Sequence, residues 1–293
     1  RTTPVYFVFG VVYNTAMTLP FLPPGSSRFL IATNTASQLV GRIVSSGAIF
    51  VASIFIARAF GANGYGDFVK ITSFIALFYL LADFGMNAVY LQIKNTQDSN
   101  HLWSTLLGLR LAGSIVLVFI AIAILSFFPR GSYHGYTDGV RLGIILFSPA
   151  IIFQAIITTT NALFQEKLRY DLSTIAVASG SLIALGAVWI VSISTSSLLG
   201  PIASSLAFLL GTAMTALLGV FLAKAYGTIR VALDKSLARQ LIIGSIPLGL
   251  TLLFNQVYFR ADSIILTLSR STVEVGIYGF AYKIFEVALV LPT

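Results

Sequence analysis

The sequence predicts an all-α, polytopic membrane protein, and composition and hydropathy pattern are the observations behind this fold class. Hydrophobic residues make up 57% of the 293 residues and charged residues only 10%, whereas about a quarter of the residues in a soluble domain are charged. The apolar runs are long and continuous, which favours helices over the alternating pattern of a transmembrane barrel. At roughly 20 residues for each membrane crossing, plus the loops, the length indicates about eight transmembrane helices.

The best-defined stretch covers residues 38–87 and predicts a hairpin of two membrane spans. Between Gln38 and Ala57 the only charge is Arg42, and about 20 mostly apolar residues match the thickness of the hydrocarbon core. The connecting residues 58–67, RAFGANGYGD, contain three glycines and an asparagine. These residue types tolerate the positive φ angles of a chain reversal, so we predict a short, closed turn.

Eight spans follow from the polar, glycine and proline boundaries of the apolar runs. Tyr90 and Trp103 lie where spans two and three meet a polar connection, and they are predicted to be anchors at the membrane interface. The polar run 226–239 is the longest charged connection, and we take it as a boundary between two lobes. The predicted spans are 36–58, 67–91, 104–128, 139–165, 173–194, 200–226, 239–268 and 275–292.

Residues 1–29 are predicted to be an N-terminal extension to this body. The segment 4–22 is apolar but contains Asn14 and Pro20. Apart from Arg1, it lacks the cationic start and the cleavage site of a signal peptide. We interpret it as an extra or interfacial helix, with a disordered extension as the alternative.

Charge and residue types also limit the chemistry. The formal charge of +8 is spread over short loops, which membrane topology explains better than nucleic-acid binding. There is no cysteine, and His101 and His134 fall in polar connections, so no metal site is indicated. No P-loop, G-x-S-x-G, H-E-x-x-H or closely spaced carboxylate pattern occurs. The sequence therefore predicts no enzyme, no catalytic residue and no cofactor.

The hairpin also carries a family resemblance. The pattern A-R-x-x-G-x-x-x-Y-G-x-F between the two spans, followed by A-D-F-G-M-N at the end of the second, resembles the polysaccharide exporter (oligosaccharide flippase) branch of the multidrug/oligosaccharidyl-lipid/polysaccharide exporter superfamily. The charged link at 166–171 resembles the connection between spans four and five in this family. The residues that carry the hairpin pattern are Ala57, Arg58, Gly61, Tyr65, Gly66, Phe68, Ala82, Asp83, Phe84, Gly85 and Asn87.

The resemblance implies two six-helix lobes related by pseudo-twofold symmetry around a central cavity. Residues 30–228 would then form the first lobe, and residues 229–293 the first two helices of a second. A shift of 212 residues supports this division, because it superimposes one inter-span turn on another. We expect spans one and seven to face each other across the cavity, with both turns on the same outer side. The matching pairs are Arg58 and Arg270, Gly64 and Gly276, and Phe68 and Phe280.

The function implied by the resemblance is that of a flippase. It would move a polyprenyl-diphosphate-linked oligosaccharide across the cytoplasmic membrane for the assembly of O-antigen, capsule or exopolysaccharide. Candidate partners are H+ or Na+ as coupling ion, membrane lipid and the polysaccharide polymerase machinery. The alternatives are a multidrug exporter of the same superfamily, which would favour carboxylates, and a non-transporting membrane partner of a polysaccharide assembly complex.

Charged residues inside the spans are candidate site residues, because a charge near the middle of a membrane costs about 2.5–3.5 kcal/mol on insertion scales. The cations expected to bind the diphosphate are Arg42, Arg110, Arg260 and Lys283. The acids expected to couple an ion or balance charge are Asp83, Asp262 and Glu286. Asp83 could instead cap the adjacent backbone. Arg260 and Asp262 point about 200° apart around a helix, so each needs a partner elsewhere.

The depths of the four cations predict a ladder for an anion. Arg42 and Arg110 lie about six residues, roughly 9 Å, inside the cytoplasmic boundary, Lys283 comes near the midplane and Arg260 lies above it. For a transporter we expect all four to face one interior volume. The alternative is that Arg42 and Arg110 snorkel to the interface and that Lys283 pairs with Glu286 on the same helix face.

Membrane orientation is the first testable prediction. One set of alternate connections holds eight cations and the other five, so the positive-inside rule places the first set in the cytoplasm. Reporter fusions at Lys235 and Ser132 are expected to report cytoplasm and exterior respectively, and the reverse pattern would contradict the assignment. The first set is Arg28, Lys94, Lys167, Arg169, Lys224, Arg230, Lys235 and Arg239, and the second is Arg58, Lys70, Arg130, Arg141 and Arg270.

Overall fold

The computed structural model describes residues 24–96, 101–131, 135–196, 198–226 and 229–289, with side chains from Gln38 to Glu286. Within these ranges the chain forms nine α-helices and one short 3-10 turn at Lys224–Tyr226. The helices are α1 Pro24–Asp83, α2 Met86–Thr96, α3 Leu102–Phe127, α4 Asp138–Phe147, α5 Ala150–Glu166, α6 Tyr170–Ser194, α7 Gly200–Ala223, α8 Lys235–Ser269 and α9 Thr272–Leu289.

Six helical stretches of the described chain are long and apolar enough to cross a membrane, and they confirm the all-α polytopic class. The first of these stretches, Gln38–Thr96, has 59 residues and contains the predicted spans one and two. The 18-residue helix α9 corresponds to the predicted span eight. Of the predicted N-terminal extension, residues 1–23 lie outside the described residues, and α1 runs without a break across the boundary drawn at residue 29.

A single residue makes the turn of the first hairpin. Gly61 has φ 67° and ψ −175°, while the residues on both sides of it are helical. The predicted turn over residues 58–67 is therefore in the right place but far too long. Ile56 and Phe60 of the first arm, residues 24–60, pack in one cluster with Tyr65 and Phe68 of the second arm, residues 62–83.

The sequence predicts spans two and four as single helices, but in the structure each is divided between two helices. Span two is broken at Phe84 and Gly85, whose φ angles of 44° and 72° end α1 and let α2 begin. Span four is broken at Ser148 and Pro149, between α4 and α5. Ser148 and Pro149 both keep helical backbone angles, with φ −57° and −59°. The break lies in the hydrogen-bond ladder, to which Pro149 cannot donate because it has no N–H.

At one end of the bundle, a buried lysine of α1 joins two connections. Lys70 is 1% exposed, and its Nζ donates to the Gly135 carbonyl at 3.0 Å and to Thr272 Oγ1 at 2.7 Å. The N–H of Gly135 donates to the carbonyl of Thr267 at 2.8 Å. The loop before α4 and the α8–α9 turn thus meet the second arm of α1 at the end that the charge bias predicts to be outer. Ser132 itself lies outside the described residues.

The connections at the opposite end are also held by polar contacts. The N–H of Ala232 donates to the Ser104 carbonyl at 3.2 Å, and Arg169 Nη1 donates to Tyr226 Oη at 2.8 Å. Tyr90 is only 1% exposed and donates its hydroxyl to Glu166, so its predicted role as an interfacial anchor is wrong. Its ring fills space between helices rather than lying at the lipid surface.

The two turns matched by the internal repeat contact each other through glycine. A Cβ at Gly66 would lie 2.1 Å from the carbonyl oxygen of Thr272, and one at Gly276 would lie 2.2 Å from that of Ala62. The backbones of α1 and α9 therefore touch at this crossing, which a side chain at either glycine would prevent. The division into lobes at residues 228 and 229 stays a prediction.

This crossing generates a stability prediction. Gly276→Ala is expected to lower stability by about 1–3 kcal/mol, because the new methyl group would overlap a backbone carbonyl that cannot move by itself. The measurement is the Tm of the full-length protein in detergent. Gly113→Ala is the matched control, since nothing lies within 4 Å of its added Cβ. Equal Tm values for the two variants would contradict a tight crossing.

Candidate functional site

Arg110 of α3 is held in the interior by residues on both sides of the α1–α2 break. It is 1% exposed, and its Nη2 donates to the Asp83 carboxylate and to Asn87 Oδ1, the latter at 2.9 Å. Its Nη1 lies 3.4 Å from Thr159 Oγ1 of α5. The break at Phe84 lets the end of α1 and the start of α2 approach one guanidinium. Arg110 does not snorkel, and Asp83 pairs with a cation.

Arg260 and Lys283 share one carboxylate on the wall of a cavity of about 210 Å³ between α1, α7, α8 and α9. Arg260 Nη2 donates to Glu286 Oε1 at 3.1 Å, and Lys283 Nζ donates to Glu286 Oε2. The guanidinium carbon of Arg260 also lies 5.7 Å from the centre of the Tyr282 ring. Two cations and one carboxylate leave this group with a net charge of +1. We call Arg260, Lys283 and Glu286 the cation cluster.

The remainder of that cavity is lined by hydroxyl and aromatic groups. The first arm of α1 contributes Ser53 and the second arm contributes Thr72 and Ser73, while Thr212 comes from α7 and Ser263 from α8. Such groups can bind water or polar ligand atoms next to the charges. The cavity therefore combines a small net positive charge with neutral hydrogen-bonding groups.

Asp262 lies apart from the cation cluster although it is two residues from Arg260. Tyr278 of α9 donates its hydroxyl to Asp262, whose other oxygen accepts from the N–H of Ser263 at 2.6 Å. Arg260 and Asp262 thus have separate partners on α9, as their angle around the helix predicted. The Asp262 carboxylate holds α8 and α9 together rather than lining the cavity around Arg260.

Arg42 lies on a different surface from the other candidate cations. It is exposed and lines a second cavity, of about 310 Å³, between the first arm of α1, α5 and α6. Within the described part of the chain, no hydrogen bond or ion pair engages its guanidinium. The four cations Arg42, Arg110, Arg260 and Lys283 therefore occupy three places, and the expectation of one shared volume is wrong.

Sequence reasoning missed the burial of Lys70, which was counted among the loop cations. A lysine three residues after Asp67 at the start of a span looks like an exposed helix end. Only the approach of the loop before α4 and of α9 covers it. A pattern within one helix could not have indicated that contact.

The comparisons with known proteins agree with this architecture. The family model described as polysaccharide biosynthesis protein matches residues 31–291. The chain belongs to this family. No curated protein matches the sequence.

Solved structures of low sequence identity share the fold. A MOP superfamily transporter from Pyrococcus furiosus, described as having a binding pocket of reverse polarity, is 13% identical with a TM-score of 0.59, over 88% of this chain and 60% of its own. A MATE structure in complex with Br-NRF is 14% identical with a TM-score of 0.59, over 89% and 63% of the two chains.

A third similar structure is an inward-facing multidrug resistance MATE family transporter of the MOP superfamily, 15% identical with a TM-score of 0.54. The match covers 88% of this chain and 59% of that transporter's chain. The chain thus spans about three-fifths of the length of these structures. At such low identity the likeness establishes the fold alone.

The buried ion pair between Arg110 and Asp83 predicts a large loss of stability from a single conservative substitution. Asp83→Asn is expected to destabilise the protein by about 3–5 kcal/mol, because it leaves the guanidinium of Arg110 buried without a counter-charge. The measurement is the Tm of the purified full-length protein. Asp171→Asn is the matched control, because the Arg169–Asp171 pair is exposed and such pairs contribute only about 0–1 kcal/mol. A similar small loss for both variants would contradict the structural role of the Arg110 pair.

Proposed function

We propose that this chain is part of a flippase that moves a polyprenyl-diphosphate-linked oligosaccharide across the cytoplasmic membrane for surface polysaccharide assembly. Membership of the polysaccharide biosynthesis family and the MOP transporter fold support this proposal. The same evidence supports a multi-pass position in the membrane. H+ or Na+ as coupling ion and a contact with the polymerase machinery are parts of the proposal.

The observation that carries the proposal is the cation cluster on the wall of the interior cavity. A diphosphate that crosses a membrane must leave water, and in a low-dielectric interior an opposite charge lowers that barrier far more than it does in water. Arg260 can donate several hydrogen bonds to phosphate oxygens, and Lys283 adds a second charge. Glu286 limits the net charge, so an anion is attracted without being held permanently.

A multidrug exporter is a weaker explanation of the same cavity. Cationic drugs need a free carboxylate, and the carboxylate in the lining, Glu286, is already paired with two cations. A non-transporting assembly partner is the second candidate. It is favoured by the pairing of Arg110, Arg260 and Lys283 with carboxylates, which a purely structural protein would also require.

The test uses the complete protein in its own host and measures polysaccharide at the cell surface. Arg260→Ala removes the net positive charge of the cation cluster and is expected to reduce export about tenfold or more, since a charge-assisted hydrogen bond contributes about 1.5–3 kcal/mol. Arg260→Lys keeps the charge but not the planar donor group, so part of the export should remain.

Arg270→Ala is the matched control, because Arg270 is exposed at the α8–α9 turn and its distance to Glu274 is 3.9 Å. Arg270→Ala should export as much polysaccharide as the unchanged protein. All variants should be present in the membrane at the level of the unchanged protein. Normal export by a variant combining Arg260→Ala with Lys283→Ala would overturn the proposal and favour the non-transporting partner.

A further inference from the structure

The cavity beside Arg42 is separate from the cavity of the cation cluster and has no assigned role in the function proposed above. It lies between the first arm of α1, α5 and α6, and we call it the α1–α5–α6 groove. Its volume of about 310 Å³ falls at the lower end of the range of about 300–1,000 Å³ for small-molecule sites. Tyr170, the first residue of α6, lines the groove. The groove therefore lies at the end of the bundle that the charge bias predicts to be cytoplasmic.

A buried, unpartnered hydroxyl faces this groove. Ser45 is 7% exposed, it lines the groove, and its Oγ has no hydrogen-bond partner among the described residues. Four serines of these helices instead donate to a carbonyl one turn earlier, as Ser181 does to Val177. A buried polar group without a partner costs about 1–3 kcal/mol. The Ser45 hydroxyl therefore retains unused hydrogen-bonding capacity in the wall of the groove.

The neighbouring amide is held in position for a ligand. Ser173 Oγ of α6 donates to Asn161 Oδ1 of α5 at 2.7 Å, which fixes the orientation of the amide. The two N–H donors of Asn161 are then left for a ligand in the groove. Close to it, a Cβ at Gly41 would lie 2.1 Å from Thr174 Cγ2, so α1 and α6 touch and the groove has firm walls.

The lining indicates a ligand rich in hydroxyl groups. Gln165 and Ser46, like Asn161, can both donate and accept hydrogen bonds, which matches hydroxyls that do the same. The ring of Tyr170 offers an apolar face to the C–H groups of a sugar. The lining contains no carboxylate and a single cation, Arg42, so it suits neither a bare metal cation nor a doubly charged diphosphate.

We propose that the α1–α5–α6 groove binds sugar residues of the lipid-linked substrate, separately from the cation cluster that binds its diphosphate. This inference rests on the proposed function. It assigns the glycan to Ser45, Ser46, Asn161, Gln165 and Tyr170. Arg42, at the exposed edge of the groove, meets a negative charge carried by the sugars themselves.

Cysteine protection tests this assignment, because the sequence contains no cysteine. Ser46→Cys reports on the groove, and Thr212→Cys reports on the cavity of the cation cluster. Each is introduced into the full-length protein, with any cysteine outside this sequence replaced, and the rate of maleimide labelling is measured in purified protein. The probes are inorganic pyrophosphate and the oligosaccharide released by mild acid from the host's lipid-linked precursor, with mannitol as a control polyol.

At a concentration of about twice its Kd, the oligosaccharide should slow labelling of Ser46→Cys about threefold. Pyrophosphate should not slow it, and mannitol at the same concentration should have no effect. The reverse pattern is expected at Thr212→Cys, where pyrophosphate protects. Thr174→Cys, on the opposite wall of the groove, replaces Ser46→Cys if that variant does not purify as a monodisperse protein.

If the oligosaccharide leaves the labelling rate of the groove reporter unchanged, the groove assignment is overturned. Equal protection by pyrophosphate would also overturn it, because it would make the groove a phosphate site. Failure of pyrophosphate to protect Thr212→Cys, with the groove still protected by oligosaccharide, would instead contradict the proposed function of the cation cluster. The two proposals therefore fail in different ways.

Discussion

The absence of water inside a membrane is the constraint on which this structure depends. Hydrocarbon offers no hydrogen-bond partner, so the backbone is helical and a charged side chain within a span needs a counter-charge or a wet surface. Arg110 meets this requirement through Asp83 and Asn87, and the cation cluster meets it through Glu286. Arg42 meets it by lying exposed at the edge of the α1–α5–α6 groove.

The same constraint explains where the helices are broken. Irregular backbone at membrane depth is tolerated only where protein or a cavity covers it. Phe84 and Gly85 interrupt a span beside α8, where Gly249 leaves room for the Phe84 ring, and the interruption brings Asp83 to Arg110. Gly61 ends the first arm of α1 and lets the second arm touch α9. The breaks at Phe84 and Gly61 thus create contacts that a straight helix could not make.

The two cavities differ in chemistry, and the diphosphate and the glycan of the proposed substrate differ in the same way. The cavity of the cation cluster concentrates charge, whereas the α1–α5–α6 groove offers neutral donors and acceptors around a single cation. Separate sites would let the protein recognise a common diphosphate with one surface and a variable glycan with another. Changes in sugar specificity could then arise in the groove without altering the charges that stabilise the anion.

The sequence by itself determined the all-α polytopic class and the first hairpin, because these depend on hydropathy and on turn residues. It indicated the pairing of Lys283 with Glu286 only as an alternative, from their spacing within a helix. Tertiary structure alone decided that Arg110 pairs with Asp83, 27 residues away, and that Arg260 pairs with Glu286, 26 residues away. It also decided that Tyr90 is buried and that Arg42 lies apart from the cation cluster. The physical reason is that helix periodicity sets which face a side chain occupies, whereas the crossing of helices, controlled by close contacts such as that at Gly276, sets which faces meet.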